Sequence, residues 1–347
     1  TSPLGSADPG QPFHAADVDG DGDSDLVQIG RDPQGRSVAT TWLAAQVGER
    51  FHYAQQTAVV LGVTGDAIDW SLHDHDGDGR ADLVGTWREA DGQAQVGVWL
   101  ADGARFVGRN GWLADVAWFA ADFNGDGDDD LLEVGHRGDG MAVGRQWFAT
   151  GGGLAAGGTI ELGTWRADTR HLVGDLDADG WSDLCVIGRE PDGTVAASFW
   201  LSQGDHLQWS GRSVLGSPPA GSDYSLGDAD GDGRADLLVH WLPGNGQTRF
   251  TLWSSDGSGL QRGASQDGEW EDLAGSLRLS LEVSGDGRSD LAMLQLLPWA
   301  DAQTSDDSAW LSTWIARDDG SWDVAQQGLG VWAQQVALLA GNADGDG

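Results

Sequence analysis

Lysine is absent: all 19 basic residues of this 347-residue chain are arginine. Against them stand 55 acids, giving a formal charge of −36 and a pI near 4.1. That balance excludes a nucleic-acid binder held by a basic footprint and argues against an anionic membrane surface as partner. No apolar run reaches the ~18 residues that a membrane-spanning helix needs, so membrane insertion is not expected. Cys185 is the single cysteine, which removes any intrachain disulfide framework. It sits in an apolar run and reads as a small buried residue. Tyrosine and methionine occur twice each and phenylalanine 8 times, whereas glycine reaches 55 and tryptophan 19. So much glycine disfavours a helix-rich fold.

The acids are clustered in a nine-residue pattern, D-x-D-G-D-G-x-x-D followed by Leu. Copies begin at Asp17, Asp74, Asp122, Asp175, Asp228 and Glu282, and a seventh begins at Asn342 and stops at Gly347. Their spacings of 57, 48, 53, 53, 54 and 60 residues mark a repeat architecture. A tryptophan is locked to the pattern, 25 residues after the first loop residue, at Trp42, Trp99, Trp147, Trp200 and Trp253. In the sixth repeat Trp314 lies 32 residues on, across a seven-residue insertion around Trp299–Asp307. Constant spacing inside variable repeats makes loop and tryptophan one rigid unit.

Each repeat reads as four short strands. One enters the acidic loop, one leaves it through D-L and an apolar run, a third carries the tryptophan, and a fourth varies. Glycine- and aspartate-rich turns separate them, and no helical period survives. Four strands in about 50 residues, repeated six or seven times, predict an all-β propeller of four-stranded blades.

Clustered carboxylates repel one another unless a cation sits among them. Positions one, three, five and nine converge when glycines at four and six let the backbone curl through positive φ. Such oxygen ligands suit calcium (Ca2+). The expected ligands are Asp17, Asp19, Asp21 and Asp25; Asp74, Asp76, Asp78 and Asp82; Asp122, Asn124, Asp126 and Asp130; Asp175, Asp177, Asp179 and Asp183; and Asp228, Asp230, Asp232 and Asp236. The sixth loop offers Glu282, Asp286 and Asp290 with Ser284 at position three, a weaker set. About five or six structural sites are expected.

These loops, with the following D-L and apolar strand, resemble the FG-GAP/VCBS repeats of integrin α-subunit propellers and of many secreted bacterial proteins. The resemblance runs from Asp17 to the end of the chain. It implies a single propeller domain over 1–347, with calcium in the loop joining the first two strands of each blade. It also favours seven blades, the seventh cut short, and hence a fragment of a longer chain. Sites of extracellular modules bind calcium at ~10⁻⁴ to 10⁻³ M. At millimolar calcium, linkage then stabilises by about 0.4–1.4 kcal/mol per site. Such sites require an extracellular, secreted or periplasmic location.

No H-E-x-x-H, G-x-S-x-G or G-x-x-x-x-G-K is present, so no catalytic signature stands out and no catalytic residue is assigned. A register four residues before each loop carries large side chains with polar handles, among them Trp70, Trp118, His171 and Tyr224. Six residues beyond the last loop acid stand Arg31, Arg88 and Arg189. Aromatic faces stack on sugar rings, and arginine clamps hydroxyls or carboxylates. The expectation is a secreted calcium-stabilised binding module for glycans, or for a cell-surface or matrix protein, acting in adhesion. The alternatives are a non-catalytic propeller domain of a larger secreted enzyme or toxin, and a polysaccharide lyase or hydrolase.

Overall fold

In the computed structural model the described residues are 7–8, 11–47, 50–64, 67–89, 94–103, 105–110, 114–150, 153–241, 248–268, 277–281, 284, 286–297, 307–317 and 321–332. Their strands form six antiparallel sheets, each built on a four-strand meander in chain order, with a fifth strand added in the first. The first blade contains β1 (Phe13–Ala16), β2 (Asp25–Arg31), β3 (Arg36–Val47), β4 (Arg50–Gln55) and β5 (Val59–Thr64), with β4 and β5 both pairing on β3. The second contains β6 (Ile68–His73), β7 (Asp82–Arg88), β8 (Ala94–Trp99) and β9 (Arg105–Asn110). The third contains β10 (Ala114–Ala121), β11 (Asp130–His136), β12 (Met141–Thr150) and β13 (Gly153–Thr164). The fourth contains β14 (Arg170–Gly174), β15 (Asp183–Arg189), β16 (Val195–Ser202) and β17 (Leu207–Gly216). The fifth contains β18 (Asp223–Gly227), β19 (Asp236–Trp241), β20 (Thr248–Ser255) and β21 (Leu260–Gly268). The sixth contains β22 (Leu277–Leu281), β23 (Asp290–Leu297), β24 (Asp307–Ala316) and β25 (Trp322–Trp332).

This is the all-β propeller that the repeat arithmetic predicts, with six blades. The described strands give no support to the seventh blade that the resemblance favours, and its loop at 342–347 lies outside the described residues. The chain divides into two compact units, one holding the first three blades within 1–165 and the other the last three within 166–338. Within the first unit β1 lies against β6; within the second β14 lies against β18, and β18 against β22. First strand on first strand is the propeller's way of packing one blade on the next.

The core sits between blades. In the second unit, Cys185, Ile187, Ala197 and Phe199 of the fourth blade pack with Leu237, Val239 and Trp253 of the fifth. Cys185 is fully buried, and burial pushes its thiol up to about 12. The regular tryptophans belong to this packing: Trp42, Trp200, Trp253 and Trp314 are all less than one-tenth exposed.

Candidate cation loops and inter-blade clefts

The carboxylate at position one shapes the first five loops. Asp17 Oδ1 accepts the Gly20 N–H at 2.7 Å and Oδ2 accepts Gly22 N–H at 2.9 Å. Asp122, Asp175 and Asp228 make the same pair of bonds to positions four and six of their own loops. The loop can curl this way because both positions take positive φ, 81° at Gly20 and 92° at Gly22. Ala178 holds φ 63° in the fourth loop, a conformation that a side chain disfavours.

Position nine ties the loop to the third strand. Asp183, wholly buried, accepts the Leu176 N–H through Oδ2 at 2.8 Å and the Ser202 N–H through Oδ1 at 2.7 Å. Asp25, Asp82, Asp130, Asp236 and Asp290 repeat the second bond to Ala44, Ala101, Ala149, Ser255 and Ala316. Each acceptor's partner stands two residues after the regular tryptophan, which explains the fixed spacing. Burial raises five carboxyls despite their backbone donors: Asp25 and Asp82 to about 6, and Asp130, Asp183 and Asp236 to about 7.

Position three is left unsatisfied in the second, fourth and fifth loops. Asp76 Oδ1, Asp177 Oδ1 and Asp230 Oδ1 are shielded from solvent and accept no hydrogen bond. Each has other carboxylates close by. Oxygens of Asp175, Asp177 and Asp183 lie within 4.8 Å of one another, as do those of Asp17, Asp19 and Asp25, of Asp74, Asp76 and Asp78, and of Asp228, Asp230 and Asp236. Carboxylate oxygens so close together, with a shielded and unbonded one at position three of the second, fourth and fifth loops, are a donor set that fits a hard divalent cation. Glu282 lies outside the described residues.

Successive loops are also bonded to one another. The position-eight N–H of one loop donates to the position-one carbonyl of the loop before it: Ala81 to Asp17 at 2.6 Å, Asp129 to Asp74 at 2.7 Å, Ala235 to Asp175 at 2.5 Å and Ser289 to Asp228 at 2.5 Å. Position seven overhangs position four of the preceding loop. A Cβ on Gly20 would lie 3.0 Å from Arg80 Cγ, one on Gly231 3.2 Å from Arg288 Nε, and one on Gly77 2.3 Å from Asp128 Oδ1. The acidic loops therefore form hydrogen-bonded runs within each unit.

Two clefts open between the fourth and fifth blades. The larger, about 400 Å³, lies between the connecting segment Gly216–Pro219 and the face of the fifth blade that carries Trp241, Thr251, Trp253 and Arg262. The smaller, about 140 Å³, lies on the other part of that connection and is lined by Asp168, Arg170, Arg189, Ser222 and Tyr224. Arg189 holds the partition in place, donating through Nη2 to the carbonyls of Pro218 at 2.7 Å and Pro219 at 3.1 Å. The larger cleft offers indole faces, proline rings and a guanidinium, a combination suited to a sugar ring and its hydroxyls.

Of the side chains singled out for ligand binding, the structure brings Arg189 and Tyr224 together in the smaller cleft. Burial raises the Tyr224 hydroxyl above the usual phenol range. Trp70 lies over Gly85, where a Cβ would be 2.5 Å from its ring, and its ring centroid is 5.3 Å from that of Trp99. Trp118 packs with Val84, Val98 and Leu131. His171 faces Val186 across the sheet, half-buried, and burial pushes it down to about 4. Arg31 donates to the Gly35 carbonyl of its own turn at 3.1 Å, as Arg189 does to Gly193 at 2.9 Å. Arg88 ends β7, exposed, opposite Ala94. Trp241, Arg262 and the Pro218–Pro219 pair escape the sequence reading. One signal was present: Trp241 occupies a register that is glycine at Gly30, Gly135 and Gly188 in other blades.

Residues 175–239, spanning the fourth loop to the start of the fifth blade's second strand, match the model of the FG-GAP-like repeat. Over that stretch the chain matches the FG-GAP-like repeat, and its blades have a β-propeller arrangement. No curated protein matches it in sequence. Among solved structures it is similar to a protein from Lactobacillus plantarum, with 16% identity, TM-score 0.49, and 95% of this chain and 86% of that one covered. AofleA from Arthrobotrys oligospora shares 14% identity at TM-score 0.47, covering 92% and 87%. The fucose-specific lectin from Aleuria aurantia shares 13% at TM-score 0.46, covering 92% and 95%.

Proposed function

We propose that this protein is a calcium-stabilised propeller that binds carbohydrate. The observation that carries the sugar reading is the larger cleft beside Trp241. It combines aromatic and proline faces with Thr251 and Arg262 in about 400 Å³, the lower end of the volume that small-ligand sites occupy. A monosaccharide offers the complementary surface, C–H groups for the indole and hydroxyls for the guanidinium. The calcium reading is supported by the shielded, unbonded oxygens of Asp76, Asp177 and Asp230. The residues that would hold the ions are Asp17, Asp19, Asp21 and Asp25 in the first loop and their counterparts in the others. The ion would supply charge neutralisation for carboxyls that burial disfavours. Weak calcium sites fill only where calcium is millimolar, so the proposed location is outside the cytosol, secreted or periplasmic.

A glycan array probed with calcium-loaded protein, repeated with Trp241→Ala, tests the sugar reading. Hits lost in the variant support it. A blank array, or hits that survive Trp241→Ala, refute it.

A further inference from the structure

Loop position seven separates the six loops into two groups. It is arginine in the second, fifth and sixth, at Arg80, Arg234 and Arg288, and Asp23, Asp128 or Trp181 in the others. Each arginine turns back onto the position-five carboxylate of its own loop. Arg80 donates to Asp78 Oδ2 through Nε at 2.9 Å and also through Nη2. Arg234 Nη2 donates to Asp232 Oδ2, and Arg288 Nη1 to Asp286 Oδ2 at 3.0 Å. The other oxygen of each carboxylate already accepts the backbone N–H of that same arginine, at 2.9–3.0 Å. Both oxygens at position five are thus occupied by position seven. In the first and fourth loops the backbone bond alone is made, Asp23 N–H to Asp21 Oδ1 at 3.0 Å and Trp181 N–H to Asp179 Oδ1 at 2.8 Å.

We infer that an arginine at position seven is an internal competitor for calcium, so that the second, fifth and sixth loops bind the ion more weakly than the first and fourth. This rests on the calcium reading above. The guanidinium already neutralises one carboxylate that the ion would use, and binding must displace it. It also carries a positive charge to within a few ångströms of the site. Arg80 and Arg288 overhang the preceding loop as well, at Gly20 and Gly231, so each places its charge beside two sites. The pairs are about a third exposed or less, which leaves room for the side chain to swing into solvent. Removing one unit charge roughly 6 Å from a divalent ion changes affinity on the order of tenfold when the charge is fully solvated, at the dielectric of bulk water.

The experiment is a calcium titration of the full, chelator-stripped chain, read as ion bound per protein and as heat. The variants are Arg80→Gln with Arg288→Gln, and separately Asp23→Arg. The paired variant should tighten its weak sites on the order of tenfold, and Asp23→Arg should weaken one tight site by a similar factor. Raised salt should shrink both effects. Calcium binding in the unaltered chain with isotherms unchanged in both variants overturns the competition and leaves the calcium reading standing. No calcium bound by the unaltered chain overturns both. Thermal unfolding in chelator establishes that each variant is folded before titration.

Discussion

Asp290 Oδ1 accepts the Ala316 N–H at 2.8 Å across 26 residues, the bond that Asp25 makes to Ala44 at 2.7 Å across 19. The sixth blade has gained seven residues between these partners and kept the bond, so the insertion is accommodated at the far end of the hairpin. The last acid of each loop is thereby a fastening between the loop and the third strand, whatever else it ligates.

Replacing such a carboxylate by its amide turns an acceptor into a donor facing a backbone N–H. Asp183→Asn should destabilise by about 3 kcal/mol, since a buried donor is left unsatisfied and an acceptor is lost. Denaturant midpoints of the two proteins check this. A change within experimental scatter would mean that the Asp183 bonds to Leu176 and Ser202 contribute little.

The raised carboxyls give the calcium-free protein a pH dependence of definite sign. Their folded values, about 6 for Asp25 and Asp82 and about 7 for Asp130, Asp183 and Asp236, lie above the ordinary aspartate value of 3.8. The folded state therefore binds more protons, and stability present at pH 3.8 is lost as pH rises to about 7. Growing repulsion among 55 acids acts in the same direction. Melting temperature in chelator should fall over this range, and calcium should flatten the fall. A melting temperature that climbs from acid to neutral pH in chelator would contradict this.

Gly85 is small because Trp70 covers it. Gly85→Ala would put a methyl 2.5 Å from the indole, and the neighbour is a packed ring rather than a flexible chain end. The expected cost is about 1–3 kcal/mol in the denaturant midpoint. The same substitution at Gly30, where nothing lies within 4 Å, should cost less. Equal effects at the two positions would remove the packing explanation.

The larger cleft gives a prediction about binding that stability does not mimic. Arg262→Ala and Trp241→Ala should each weaken sugar binding on the order of tenfold or more. Arg262 is exposed and bonds only weakly, to Ser265 Oγ at 3.4 Å, so its variant should melt like the parent. Titration of both variants with a glycan found on the array, beside their melting curves, separates the two effects.

The blades and loops were legible in the sequence because their determinants are local. Asp17 fixes its loop through Gly20 and Gly22, and Asp25 fixes the third strand through Ala44, so the pattern recurs wherever the chain makes a blade. The clefts were not, because they depend on a segment found between one pair of blades only. Nothing local says that Arg189 reaches Pro218 and Pro219, 29 and 30 residues on, or that this props the connection away from Trp241. Trp70 and Trp118 share the register of the ligand candidates, and only the proximity of Gly85 and Trp99 to one, and Val84 and Leu131 to the other, shows where they lie.

The most direct test of the account is thermal unfolding of the intact chain at neutral pH and fixed ionic strength, in millimolar calcium and again in chelator. Several weak sites acting together should raise the melting temperature by many degrees in calcium, with magnesium much less effective. Superimposable curves in calcium and chelator would contradict it, and the shielded oxygens of Asp76, Asp177 and Asp230 would then need another partner.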